Sequence, residues 1–312
     1  MNWLEITIAT APSTTQDVAA RLTAGGFAEL VLEDQTEFEE FLEENRNYWD
    51  YIDESLQQHL EGLSQIKLYL EDTDTAGLEK LKKLLEELEL TMQVTTMGDT
   101  DWEESWKDNY PPQPVGERLV VLPYWLEDTE TNREKIILDP GLTFGTGAHP
   151  STQMVMETME QLDLKDAACL DLGSGSGILS ITALRLGAKT AVGVDIDPKA
   201  EDIARENAAY NGFAAPAFMA LTGNVTSDKP LMDRLAASRY DLLLVNIVAD
   251  VIIGLSPVLP AFMDENTHLI CSGILDTRLA DVTAALEKAG LTVTQVREKE
   301  DWRCVSVRRS AL

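Results

Sequence analysis

The strongest constraint on this 312-residue chain is an apolar segment that stops at alternating glycines and restarts as a helix. It runs Cys169-Leu170-Asp171-Leu172-Gly173-Ser174-Gly175-Ser176-Gly177-Ile178-Leu179. A near-continuous apolar strand of this length is covered on both faces, which places it in a parallel sheet flanked by helices. The pattern recurs from residue 150 onward. Strands are predicted at Ala168 to Leu172, Ala191 to Asp195, about Ala217 to Thr222, Asp241 to Asn246 and Leu269 to Ser272, with helical stretches between them. Two further strands, Leu291 to Arg297 and Arg303 to Arg308, are too close together for a crossover helix and must pair antiparallel. The expected fold class is therefore α/β, a seven-stranded Rossmann-like sheet ending in a reversed hairpin.

The first hundred residues follow a different rule. Strand-like alternation at Trp3 to Thr10, a helix from Ser13 to Ala24 ending at Gly25-Gly26, and short strands at Leu30 to Leu32 and Ile66 to Leu70 come first. A helix from Thr75 to Leu88 with a leucine face and a closing strand at Met92 to Met97 complete the order β-α-β-β-α-β. That order predicts a small α+β, ferredoxin-like domain over residues 1–98. A linker over 99–114 follows, with Trp102 and Trp106 in a short helical stretch and Pro111-Pro112-Gln113-Pro114 expected to break regular structure. A second, larger α/β domain is expected over 115–312.

Charge narrows the partners. The chain carries a net charge of −29, of which −19 falls on the first 110 residues, where a very acidic segment from Glu33 to Glu54 is expected to form a loop or exposed helix. Such a field repels phosphate backbones and favours a basic protein, so no direct nucleic-acid binding is expected. There is no run of about 18 apolar residues for a membrane span. The amino terminus lacks the basic and apolar regions of a signal peptide, so a cytoplasmic location is expected. Cys169, Cys271 and Cys304 are scattered and read as buried small residues, and His59, His149 and His268 form no cluster, so no metal site is expected.

The chemistry-bearing positions fall at strand ends. Glycines at 173, 175 and 177 let a ligand approach the backbone, and the helix after Gly177 offers N–H groups to an anion. The spacing departs from the G-x-G-x-x-G of nicotinamide sites, since Ile178 holds the last position. Asp195 ends the next strand 22 residues after Gly173, where a carboxylate can accept both hydroxyls of a ribose. Asp197 competes for that role but also suits the N-cap of the helix beginning at Pro198. Asn246 closes the fourth strand and is expected to face the ligand crevice. The loop from Leu138 to Thr152, with Phe144, Gly145, Thr146, Gly147 and His149, precedes a helix and suits a cover over a ligand, or a loop whose Ser151 or Thr152 caps that helix.

Taken with Gly193-Val194-Asp195-Ile196-Asp197-Pro198, Asn246-Ile247-Val248-Ala249 and Ser272-Gly273-Ile274-Leu275, these segments resemble the PrmA family over nearly the whole chain. Members of that family methylate the large-subunit ribosomal protein numbered eleven. The resemblance implies a class I methyltransferase domain, the cofactor S-adenosyl-L-methionine and a ferredoxin-like domain that recognises the basic ribosomal substrate. It implies cofactor-binding positions at Thr152, Gly173, Asp195 and Asn246, with Asp171, Gly175, Phe144, Gly145, Thr146 and Gly147 in the same site. Asn246 is also the expected catalytic residue. Two positions depart from the family: Asp250 where glycine usually follows the Asn246 motif, and Ala148 where threonine is frequent. A monomer acting on lysine and α-amines is the expected form, against two alternatives. One is a methyltransferase of another protein lysine or a small molecule; the other is a non-catalytic cofactor-binding assembly factor.

Overall fold

The computed structural model describes residues 2–11, 14–27, 30–34, 64–88, 90–98, 107, 110–140 and 147–310. It divides into two compact units, Met1–Asn109 and Tyr110–Leu312. In the first, β1 (Asn2–Ala9), α1 (Thr15–Ala24), β2 (Leu30–Asp34), β3 (Ser64–Glu71), α2 (Thr75–Glu87) and β4 (Met92–Gly98) follow one another. The sheet order is β2-β3-β1-β4 with every neighbouring pair antiparallel, which is the ferredoxin-like arrangement. Alternation decides its buried face. Ile6 and Ile8 from β1 and Ile66 and Leu68 from β3 meet Val18 and Leu22 of α1 and Leu81 and Leu85 of α2. Asp74 starts α2 by accepting the Gly77 N–H at 2.8 Å, satisfying one of the free donors of the first turn. Trp102, Trp106 and most of the acidic stretch at 33–54 lie outside the described residues.

The second unit opens with β5 (Gln113–Val115), β6 (Leu119–Pro123) and β7 (Glu134–Leu138) in a small sheet. Pro111 and Pro112 lie outside regular structure as expected, but the break does not extend over Gln113 and Pro114. Gln113–Val115 pairs antiparallel with β6, and Pro114 is accommodated because β5 is an edge strand. Then come α3 (Pro150–Met159), β8 (Ala168–Leu172), α4 (Ile178–Arg185), β9 (Thr190–Asp195), α5 (Pro198–Tyr210), β10 (Phe218–Thr222) and α6 (Lys229–Ala236). The chain continues through β11 (Leu242–Asn246), α7 (Ala249–Leu255), β12 (His268–Leu275), α8 (Leu279–Lys288), β13 (Leu291–Lys299) and β14 (Trp302–Arg309).

The seven-stranded sheet has the order β10-β9-β8-β11-β12-β14-β13. Strands β8 to β12 run parallel, and the terminal hairpin expected from the sequence is present. Its second strand is the reversed one. β14 inserts between β12 and β13 and is antiparallel to both. Leu242, Leu243, Leu244 and Val245 are fully buried, as a central strand packed on both faces requires. Strand order reverses between β8 and β11, and ligands of such sheets bind beyond the strand ends at that point.

Candidate active site

At the end of β8 the chain enters its turn with Gly173, Gly175 and Gly177 all at positive φ, +77°, +50° and +79°. Gly173 and Ser174 donate to the Val194 carbonyl at 2.8 and 3.2 Å, which holds the turn against β9. A Cβ on Gly173 would lie 2.9 Å from Ile247 Cδ1, so glycine here also lets the end of β11 close on β8. Gly147 lies buried, where an added Cβ would meet Val121 and Ile178. Phe144, Gly145 and Thr146 lie outside the described residues.

Two carboxylates flank the turn. Asp195 is half-buried and accepts the Gly175 N–H at 2.9 Å on one oxygen and the Asp197 N–H at 3.0 Å on the other. Asp197 is exposed and caps α5, accepting the Lys199 N–H at 2.9 Å. Asp171 is buried; its Oδ2 accepts from the Ser180 hydroxyl at 2.8 Å and the Ser180 N–H at 3.2 Å. Its Oδ1 has no hydrogen-bond partner among the described residues. Burial raises the Asp171 carboxyl to about 7 against the pull of Ser180, and the charge of Asp195 adds to the rise.

Across the switch point, Asn246 ends β11 and its Nδ2 donates to Thr152 Oγ1 at 3.1 Å. Thr152 is buried in the first turn of α3, so the fold brings together two residues 94 positions apart in the chain. Neither Ser151 nor Thr152 caps α3. His149 does, its Nδ1 accepting the Ser151 N–H at 3.2 Å, and its ring meets Trp302 edge-on at 4.6 Å. The Ser272 hydroxyl donates to the Ser151 carbonyl at 3.0 Å, tying the end of β12 to the same helix. A Cβ on Gly273 would fall 2.6 Å from the Ile247 carbonyl oxygen, which makes glycine a packing requirement there.

Sequence reasoning missed Asn207, buried on α5, and Asn211, buried at its C-cap. Asn207 accepts the Asp139 N–H at 2.9 Å and donates to the Ser176 carbonyl at 2.8 Å. Asn211 exchanges two hydrogen bonds with the backbone of Ile137, at 3.0 and 2.7 Å. The one available signal was an Asn pair four apart, a poor choice for a helix unless both side chains find backbone partners. The thiols play no comparable part. Cys169, Cys271 and Cys304 are buried and free, and burial pushes each thiol up and keeps it protonated. Among the described residues no group of three or more His, Cys, Asp or Glu could hold a metal. No helix there is long and apolar enough to cross a membrane.

The sheet order with its inserted antiparallel strand, the glycine turn and the carboxylate ending β9 define a class I S-adenosylmethionine-dependent methyltransferase. Known proteins place it more narrowly. The family described as ribosomal protein L11 methyltransferase (PrmA) matches residues 2–310, and the chain belongs to that family. A ribosomal protein L11 methyltransferase of Alkaliphilus oremlandii is 34% identical, with 98% of each chain covered. One of Heliobacterium modesticaldum is 33% identical over 100% of this chain and 99% of its own. The crystal structure of a ribosomal protein L11 methylase from Lactobacillus delbrueckii subsp. bulgaricus is 30% identical. It superposes with a TM-score of 0.58, covering 65% of this chain and 100% of its own.

Proposed function

We propose that this chain methylates lysine side chains and the terminal amine of ribosomal protein L11, using S-adenosyl-L-methionine. The observation that carries this reading is the meeting of Asn246 and Thr152 beside the glycine turn at the switch point. The residues present suit the cofactor. Asp195 is held by two backbone N–H groups and keeps lone pairs that would accept ribose hydroxyls, and Asp171 has a buried, unpartnered oxygen that would suit a cationic group. Gly173, Gly175 and Gly147 would line the same site, with Thr152 and Asn246 at its acceptor side. Phe144, Gly145 and Thr146 are proposed to contribute from the intervening loop.

The cofactor, when bound, supplies an electrophilic methyl group on a sulfonium. The protein must present a neutral amine to it, since a lysine amine ordinarily titrates near ~10.4 and an α-amine near ~8. Desolvation in the crevice favours the neutral form. Thr152 holds the donor end of the Asn246 amide, so the acceptor that Asn246 offers an incoming amine is its carbonyl oxygen. Positive charge builds on nitrogen during transfer, and a fixed carbonyl dipole stabilises it. No buried thiol is ionised to act as a nucleophile, so positioning carries most of the acceleration.

The amino-terminal unit is proposed to recognise L11. Its share of the net charge, −19 of −29, complements a basic substrate and opposes nucleic acid. A cytoplasmic monomer is the working form. The deciding experiment incubates the chain with L11 and cofactor and maps added methyl groups by mass spectrometry. Methylation of another protein or a small molecule, with L11 untouched, would move the enzyme to a different substrate. Cofactor binding without any transfer would make it an assembly factor. Reversing the charge of several glutamates in 33–54 should raise the KM for L11 by about threefold to tenfold and leave cofactor affinity unchanged. An unchanged KM would remove the acidic segment from substrate capture.

A further inference from the structure

We infer that Asn207 is a positioning residue, one that sets the shape of the glycine turn by tying it to the end of β7. The inference rests on the cofactor reading above. Asn207 is fully buried on α5, and its amide spans two elements from one side chain. Its carbonyl accepts the Asp139 N–H at 2.9 Å, and its NH2 donates to the Ser176 carbonyl at 2.8 Å. Because one partner only donates and the other only accepts, the orientation of the amide is fixed.

Asn211, one helical turn later, supplies the comparison. Along the side of β7 away from β6, the Ile137 N–H, the Ile137 carbonyl and the Asp139 N–H have no strand partner, and the two asparagines satisfy them. Asn211 gives both ends of its amide to β7, with a second donation to the Asn207 backbone carbonyl at 2.7 Å. That serves to dock a helix on a strand edge. Asn207 gives β7 only its acceptor and spends its donor on the turn. A residue needed solely for docking would repeat the Asn211 pattern.

The other tethers of the turn lead elsewhere. Gly173 and Ser174 bond to Val194, Gly175 bonds to Asp195, and Gly177 closes on the Ser174 carbonyl at 2.8 Å. These fix its β9 side and its internal curl. The Ser176 carbonyl, next to the helix N-cap at Gly177, is held by Asn207, which ties it to the end of β7. Three residues at positive φ in a five-residue span have many alternative conformations, and tethers to β9 and to β7 restrict them.

The matched variants Asn207→Asp and Asn211→Asp test this. Each replaces a donating NH2 by an oxygen facing a carbonyl, and each should lower thermal stability. Calorimetry with S-adenosylhomocysteine as the probe should show the Kd rising about tenfold or more for Asn207→Asp, from loss of one buried hydrogen bond and repulsion in its place. Asn211→Asp should stay within about twofold of the parent, because the Asn211 amide bonds only Ile137 and the α5 backbone and none of the turn. Amide hydrogen exchange at Gly175 and Gly177 should quicken only in the first. If either aspartate variant fails to fold, Asn207→Ser and Asn211→Ser should show the same division. Equal Kd shifts at the two positions, or parental affinity in the Asn207 variant, would overturn the inference. Failure of the parent protein to bind the probe would instead reject the cofactor reading beneath it.

Discussion

Asp171 and Asp195 end neighbouring strands of one sheet, yet the fold treats them in opposite ways. Asp195 is half-buried, and each of its oxygens accepts a backbone N–H, so its carboxylate is oriented at little desolvation cost. Asp171 is fully enclosed, has one oxygen served by Ser180 and one unserved, and titrates near 7 because burial opposes its charge. One carboxylate is oriented by backbone donors before any ligand arrives. The other carries a stored electrostatic cost that a cationic ligand would relieve. Preorganisation and relief of a buried charge are separate routes to affinity, and neighbouring strand ends here supply both.

The largest test removes the preorganised carboxylate. Asp195→Ala should weaken cofactor binding roughly 100-fold or more, the effect of losing two hydrogen bonds to an ionised group, while the Gly175 and Asp197 N–H groups turn to water. A loss below about tenfold would mean that Asp195 shapes the turn without touching the ligand. Asp171→Asn should separate affinity from stability. The folded carboxyl titrates near 7 against an ordinary 3.8, so between these values the folded state holds a proton that the unfolded state has released. Parent stability should therefore fall as pH rises from about 4 to about 7 and then level off. The asparagine variant should lack this decline and exceed the parent at pH 8 by up to about 4 kcal/mol, measured by urea unfolding. Its cofactor affinity should be weaker at that pH. Parent affinity should decline as pH falls below 7, where Asp171 takes up its proton. If both proteins trace the same stability curve against pH, the contrast between the two carboxylates collapses.

How much of this was legible follows from where each signal resides. β8 and β11 announce themselves because strands covered on both faces need unbroken apolar runs, and Asp195 and Asn246 stand out as polar residues ending such runs. The ferredoxin-like order was readable from alternation and the leucine face of α2. β5 was not, since a three-residue edge strand containing Pro114 needs partners on one side only, and its sequence resembles a breaker. The position of β14 inside the sheet depends on long-range pairing with β12 that hairpin spacing does not encode. Asn207 was missed for a similar reason. Its partners lie 31 residues away in the turn and 68 away at the end of β7. The charge of Asp171 inside an apolar strand was visible, but its raised titration depends on how completely the tertiary fold encloses it, which the strand pattern does not show.

The smallest test concerns a third carboxylate, two residues beyond Asp195. Asp197 also stood as a candidate for the ribose, and its geometry gives it other work: exposed, with its Oδ1 on the Lys199 N–H, and its own N–H spent on Asp195. A side chain so placed caps the helix that carries Asn207. Asp197→Ala should cost about 1 kcal/mol of stability, as loss of an N-cap does. Cofactor affinity should change by no more than about threefold, because the Asp197 N–H that orients Asp195 belongs to the backbone and survives the substitution. Asp197→Asn should restore most of the lost stability, since an amide oxygen caps nearly as well. An affinity loss approaching that of Asp195→Ala, not recovered by asparagine, would show that the ribose is shared between the two carboxylates. The contrast would then lie between Asp171 and a pair, with the turn-held Asp195 no longer sufficient by itself.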